Sequence, residues 1–212
     1  MVLLQIWVKN MEKKDIRKQI FAARKAAEED DIEKQSGILC DRVMALTQFQ
    51  EAECIYVYMD YNKEASTRRI LERAWKLGKR VAAPKVFGED MRFFYIQSYE
   101  DVEPGYFGIP EPSMDRGLPE AQEEDALLLV PGVAFDAKCH RCGYGKGFYD
   151  RYQQRHPKHP TVAMALDFQI VESVPADSFD ICPQILMTPT AMYRPYEKKG
   201  VFRYNRNREG LI

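Results

Sequence analysis

Between residues 12 and 27 the chain puts Ile16, Ile20 and Ala23 on one face and Lys, Arg and Gln on the others, a spacing that predicts an amphipathic helix. A second helix is predicted from Asp30 or Asp31, either of which can cap it, with Ile32, Leu39, Val43 and Leu46 turned inward. The period then changes. "ECIYVYM", residues 53–59, is β-rich and reads as a buried strand. "STRRILERAWKLG" returns to helical spacing, with Ser66 or Thr67 as cap, an apolar stripe of Ile70, Leu71, Ala74 and Trp75, and a stop at Gly78. "KRVAAP" and "MRFFYI" predict two more strands. "EPGYFGIPEPSMDRGLPEAQEEDA", dense in Pro, Gly and acid, predicts a long surface connection. "ALLLVP" is continuously apolar and suits a strand buried on both faces. A helix from Gly147 to Arg155 and strands at "TVAMAL" and "QILMT" complete the pattern.

This alternation predicts an α/β fold: three layers, a mostly parallel sheet flanked by helices, as one domain over residues 11–190. In such sheets ligands sit beyond the carboxyl ends of strands. Residues 1–10, "MVLLQIWVKN", read as an N-terminal extension (an upstream start, an appended remnant or an extra edge strand), and they lack the basic flank and cleavage site of a signal peptide. Residues 191–212 read as a basic tail without apolar period, mobile or partner-docking.

With 212 residues, 45% of them hydrophobic, the chain can bury a single large core. A formal charge of −1 excludes a global field toward nucleic acid or membrane, so any anion must be gripped locally. The apolar run "ALLLVPGVAF" is about half the length of a membrane span. Five scattered cysteines fit reduced thiols and a cytoplasmic protein. The expected state is a monomer or weak homo-oligomer.

The chemistry concentrates in "HRCGYGKGFYDRY", residues 140–152. Gly143, Gly145 and Gly147 let the backbone approach a ligand and turn N–H groups toward one point. Gly147 opens a helix whose N-terminus carries partial positive charge, and Arg141 and Lys146 add full charges. Asp150, one turn on, is a hard carboxylate suited to Mg²⁺ beside phosphate oxygens. Tyr144, Phe148, Tyr149 and Tyr152 offer flat faces to a heteroaromatic ligand. The spacing fits neither a Walker loop nor a dinucleotide fingerprint, which leaves phosphate binding and a purely structural glycine turn both open. Cys139 and Cys142 have C-x-x-C spacing, but no second pair completes a zinc site, and inert thiols are favoured over a redox pair.

"VPGVAFD" followed by "RCGYGKGFYDR" closely resembles the signature of the 5-formyltetrahydrofolate cyclo-ligase (methenyltetrahydrofolate synthetase) family. "KKDIR", "EAST" and "GYFGIPEP" match three further motifs of that family in order and spacing, and the resemblance covers about residues 11–190. It implies an ATP- and Mg²⁺-dependent enzyme that converts 5-formyltetrahydrofolate to 5,10-methenyltetrahydrofolate, with Lys146 and Arg141 as catalytic residues. It places ATP on Lys13, Arg17 and the run Arg141, Cys142, Gly143, Tyr144, Gly145, Lys146, Gly147, Phe148 and Tyr149. Folate falls to Met59, Glu64 and Tyr144 through Phe148, and the metal to Asp150.

The chain departs from the family in having Cys139 and Cys142 for Gly and Leu, and Gln184 for a second metal-associated Asp, with Asp180 nearby. Two alternatives follow. One is a same-fold binder of folate or a phosphate ligand without ATP chemistry. The other is an RNA-binding protein, which the acidic runs "EEDD" and "EAQEED" oppose.

Overall fold

Residues 11–195 are described by the computed structural model. The extension at 1–10 and the tail beyond 195 lie outside the described residues. Helices α1 (Lys13–Ala26), α2 (Glu29–Met44) and α3 (Thr47–Glu51) precede β1 (Cys54–Tyr56); α4 (Arg68–Lys76) then leads to β2 (Arg80–Phe87) and β3 (Asp90–Tyr95). The short strands β4 (Val102–Pro104) and β5 (Pro110–Pro112) come next, then β6 (Leu127–Val130), β7 (Ala134–Asp136) and β8 (Arg141–Cys142). Helix α5 (Phe148–Arg155), β9 (Thr161–Met164), β10 (Ile170–Val171), β11 (Ile185–Met187) and β12 (Met192–Tyr193) close the chain.

The main sheet has the order β12-β11-β9-β6-β1-β2-β3. Its five inner strands are parallel, and both edges, β3 and β12, run antiparallel to their neighbours. Because side chains alternate across a strand, each inner strand feeds two cores. Ile55 and Val57 of the β1 segment, with Leu127 and Leu129 of β6, face α2 and α4. Tyr56, Leu128 and Val130 face Tyr152 of α5 and Phe93 of β3. Double-sided burial explains the unbroken apolar run of β6. Helix α1 stands apart: Ile16 and Ile20 pack on Val133, Ala134, Cys142 and Val174. These belong to or flank a small second sheet, β10-β7-β8.

Several local expectations are corrected. The stretch predicted as a long surface connection holds a short antiparallel ribbon, β4–β5, that the sequence did not signal. Helix α2 starts at Glu29, so Asp30 and Asp31 do not cap it; they lie in its first turn, where they complement the helix dipole. Thr67 takes the N-cap position of α4, but its hydroxyl donates to the Tyr58 carbonyl at 2.9 Å, tying the helix to the end of β1. Met192–Tyr193, placed in the predicted tail, pairs with β11. Among the described residues no helix is long and apolar enough to cross a membrane.

The strand order fixes where a ligand can sit. From β1 the chain crosses through α4 to β2 on one side, whereas β6 lies on the other side of β1. The order reverses at β1/β6, and the crevice beyond the carboxyl ends of these two strands is the switch point at which such sheets bind ligands. Met59 and Glu64 follow β1 into it, and Pro131 and Gly132 follow β6.

Candidate active site

One side of the crevice is the loop from β8 to α5. Gly145 (φ 97°) and Gly147 (φ 66°) hold left-handed conformations that side chains resist, and Gly147 is the N-cap of α5. Lys146 between them is exposed and forms no ion pair among the described residues. Its carbonyl accepts from Arg151 Nη1 at 2.8 Å, while Arg151 Nη2 donates to the Glu89 carbonyl at 2.7 Å, so the loop is pinned to the β2–β3 turn. From α1, Arg17 Nε donates to the Gly143 carbonyl at 2.7 Å. Lys13 Nζ, one turn earlier, lies 2.8 Å from Asp177 Oδ2 and 2.5 Å from Asp180 Oδ2. Arg141 and Asp150 form an ion pair of 2.7 Å with side chains only 6% and 15% exposed. The Ile181 N–H donates to the same Asp150 Oδ1 at 3.2 Å, and Oδ2 takes no hydrogen bond among the described residues.

The other side of the crevice is built around Glu64, which is 7% exposed. Its Oε1 accepts from the Tyr144 hydroxyl at 2.8 Å, and its Oε2 from the Tyr61 N–H at 3.2 Å. Burial, opposed by the Arg24 charge and by the bond from Tyr144, pushes the Glu64 carboxyl up to about 7. The turn that presents it contains Asn62 (φ 50°) and Lys63 (φ 55°), two consecutive non-glycine residues in the left-handed region. Each costs on the order of 1–3 kcal/mol, a strain characteristic of functional turns. Met59 is buried at the carboxyl end of the β1 segment, within the α2–α4 core. The "GYFGIPEP" ribbon also arrives here: Tyr106 meets the ring of Phe148 edge-on at 6.1 Å.

The structure thus brings Lys13, Arg17 and Arg141 to Tyr149 to one end of the sheet, with Glu64 joined to that loop through Tyr144. Gln184 goes elsewhere. Its Oε1 accepts from the Thr161 N–H at 3.3 Å and its own N–H donates to Thr161 Oγ1 at 2.9 Å, so it serves the β9–β11 pairing. Asp180, by contrast, holds Lys13, and the residue after it donates to Asp150. Cys139 and Cys142 are buried, and burial pushes the Cys139 thiol up to about 12 and the Cys142 thiol in the same direction. Both are poor nucleophiles as a result. Cys139 also adopts φ 67°, a conformation in which a glycine would be unstrained.

Sequence patterning did not find Arg24, which reaches Tyr144 OH at 2.6 Å and the Gly132 carbonyl at 3.1 Å. A signal existed: Lys13, Arg17 and Arg24 are spaced i, i+4, i+11 and share one helix face. Gly132 is required there, since a Cβ on it would lie 2.4 Å from Phe135 Cζ. Among the described residues five buried side-chain polar atoms lack a hydrogen bond, and three of them, Arg24 Nε, Arg141 Nε and the Tyr149 hydroxyl, belong to this site. Buried polar atoms are rarely left unpaired, so three of the five falling here sets this crevice apart from the rest of the described interior.

A mostly parallel sheet with a cationic glycine loop on one side of its switch point and a buried carboxylate on the other gives a three-layer α/β protein with a candidate active site. The chain belongs to the 5-formyltetrahydrofolate cyclo-ligase family, whose model matches residues 9–189. It is 31% identical over 179 residues to a probable 5-formyltetrahydrofolate cyclo-ligase of Schizosaccharomyces pombe, covering 77% of this chain and 88% of that protein. With the 5-formyltetrahydrofolate cyclo-ligase of Escherichia coli it shares 30% identity over 158 residues, 72% of this chain and 86% of the relative. The NMR structure of Aquifex aeolicus 5,10-methenyltetrahydrofolate synthetase superimposes with a TM-score of 0.78 at 28% identity, over 93% of this chain and 100% of the other. Both the family resemblance and the three-layer, mostly parallel fold expected from the sequence are borne out.

Proposed function

We propose that the protein converts 5-formyltetrahydrofolate and ATP to 5,10-methenyltetrahydrofolate, ADP and phosphate. The observation that carries this reading is the hydrogen bond from Tyr144 to Glu64, which makes the phosphate loop and the buried carboxylate two halves of one site. A formamide carbonyl is a weak electrophile and oxide a hopeless leaving group. Transfer of the γ-phosphoryl to the formyl oxygen turns that oxygen into part of a phosphate. N10 then adds to the formyl carbon, the carbon–oxygen bond breaks, phosphate departs with the oxygen, and N10 loses its proton. The protein's task is to position two bulky ligands and to stabilise phosphoryl charge.

Lys146, Arg17 and the N-terminus of α5 surround the place where phosphate oxygens fit, and each full charge contributes roughly 4 kcal/mol at 4 Å in an intermediate dielectric. Lys13 joins them by exchanging Asp177 and Asp180 for phosphate. Glu64 accepts hydrogen bonds from the pterin edge, and Met59 packs beneath it. The residues also fit Mg²⁺. Asp150 keeps an uncommitted oxygen, a hard carboxylate ligand for an ion that otherwise retains water and phosphate oxygens. Bound at Asp150, the ion would supply charge neutralisation on the phosphates.

The reading is tested by mixing the protein with MgATP and 5-formyltetrahydrofolate and following methenyl product absorbance. Product dependent on both nucleotide and folate is expected. A folded sample at micromolar concentration that binds the folate without forming product would instead support a non-catalytic binder.

A further inference from the structure

Arg24 is among the largest fully buried side chains, 1% exposed on an otherwise charged helix. A buried guanidinium is expensive and persists only where partners compensate it. Its partners come from three separate segments. Asn62 O at 3.4 Å and Glu64 Oε1 at 3.8 Å lie in the turn after β1, Gly132 O at 3.1 Å follows β6, and Tyr144 OH at 2.6 Å belongs to the glycine loop. The Tyr144 hydroxyl in turn donates a hydrogen bond to Glu64, so charge and carboxylate are linked both directly and through an oriented phenol. The ring of Tyr144 also lies 5.9 Å from the guanidinium. One side chain of α1 therefore crosses the switch-point crevice and joins both of its walls.

We propose that Arg24 is the positioning residue of the folate side: it orients Glu64 toward the crevice and docks Tyr144 against it, so that the two substrate pockets assemble together. This deepens the cyclo-ligase reading and rests on Glu64 meeting the pterin. An aminopyrimidinone edge presents adjacent N–H donors, and only an ionised carboxylate accepts from both without turning a proton toward them. The groups around Glu64 are Arg24 from α1, Tyr144 from the loop, Tyr149 from α5, and Tyr58 and Asp60 from the β1 segment. Arg24 is the cation of this set, and its charge is the largest influence opposing burial, ahead of the bonds from Tyr144 and the Tyr61 N–H. Arg24 touches no reacting atom.

The test compares Arg24→Met, Arg24→Lys and Glu64→Gln. In ¹³C-labelled, ligand-free protein, Arg24→Met is expected to raise the NMR titration midpoint of the Glu64 carboxyl by about one to three pH units, and Arg24→Lys to restore most of it. KM for 5-formyltetrahydrofolate is expected to rise roughly 10–100-fold in Arg24→Met, with a smaller change in kcat, and to climb further as pH falls. In a Glu64→Gln background the same substitution should add less than about twofold, because the two residues act as one unit. An unchanged titration midpoint, or losses that simply multiply, would show Arg24 to be packing alone. If Arg24→Met does not fold, Arg24→Lys decides: a near-native midpoint supports the proposal, and a second failure to fold overturns it. The titration needs no substrate, so an inactive wild-type protein would sink the cyclo-ligase reading without deciding the role of Arg24.

Discussion

Replacing Lys146 with alanine is expected to lower turnover about 10²–10³-fold, the usual loss when one preorganised donor to developing charge is removed. Melting should hardly move. Lys146 is exposed and without an ion pair among the described residues, and the loop's shape is set by Gly145, Gly147 and the bonds from Arg17 and Arg151 rather than by this side chain. Surface substitutions of that kind change stability by no more than about 0.5 kcal/mol. The pair of measurements, kcat and melting temperature on the same preparation, separates the roles. A large fall in melting temperature with little loss of turnover would make Lys146 a structural residue and undo its assignment to phosphate.

Asp150→Asn has the opposite profile. The substitution keeps the size of the side chain and can still accept from the Ile181 N–H, but it leaves Arg141, nearly buried, facing a neutral amide. Removing one member of a buried ion pair costs about 3–5 kcal/mol, and less where water screens it. In a chain of this length, 3 kcal/mol lowers melting by roughly 6–12 °C. The amide is also a weaker Mg²⁺ ligand, so the magnesium concentration that half-saturates turnover should rise by at least about tenfold. Thermal unfolding without ligand and a magnesium titration of activity check the two parts separately. A variant as stable as the parent would mean that the Arg141–Asp150 pair is solvated, and an unchanged magnesium requirement would remove Asp150 from the metal site.

Much of the fold was legible because its long elements carry strong local signals. The stripe of Ile70, Leu71 and Ala74, the unbroken "LLLV" of β6 and the glycine stop at Gly78 each follow from local chemistry. The small sheet β10-β7-β8 was not, since strands of two and three residues have no period to detect. The antiparallel edges were equally hidden, because pairing direction is decided by neighbours far along the chain. The glycine loop was readable from composition alone, and its weight came from the family motifs. Arg24 escaped because it reads as one more cation on a charged helix; only the docking of α1 over the crevice buries it. The link from Lys13 to Asp177 and Asp180 escaped for a related reason, spanning sequence separations of 164 and 167 residues. Cys139 was hidden in a different way: nothing in the local sequence signals that its backbone is left-handed, a conformation that glycine holds without strain.

The central claim is that the loop from Arg141 to Tyr149 closes on the terminal phosphates of ATP. A crystal structure with Mg²⁺ and a non-hydrolysable ATP analogue tests it most directly. Lys146 Nζ within hydrogen-bond distance of the γ-phosphate, Lys13 released from Asp177 and Asp180 onto phosphate oxygens, and the metal bound to Asp150 are the expected result. A nucleotide bound away from this loop, with Lys146 still in solvent and Lys13 still held by its two aspartates, would contradict it.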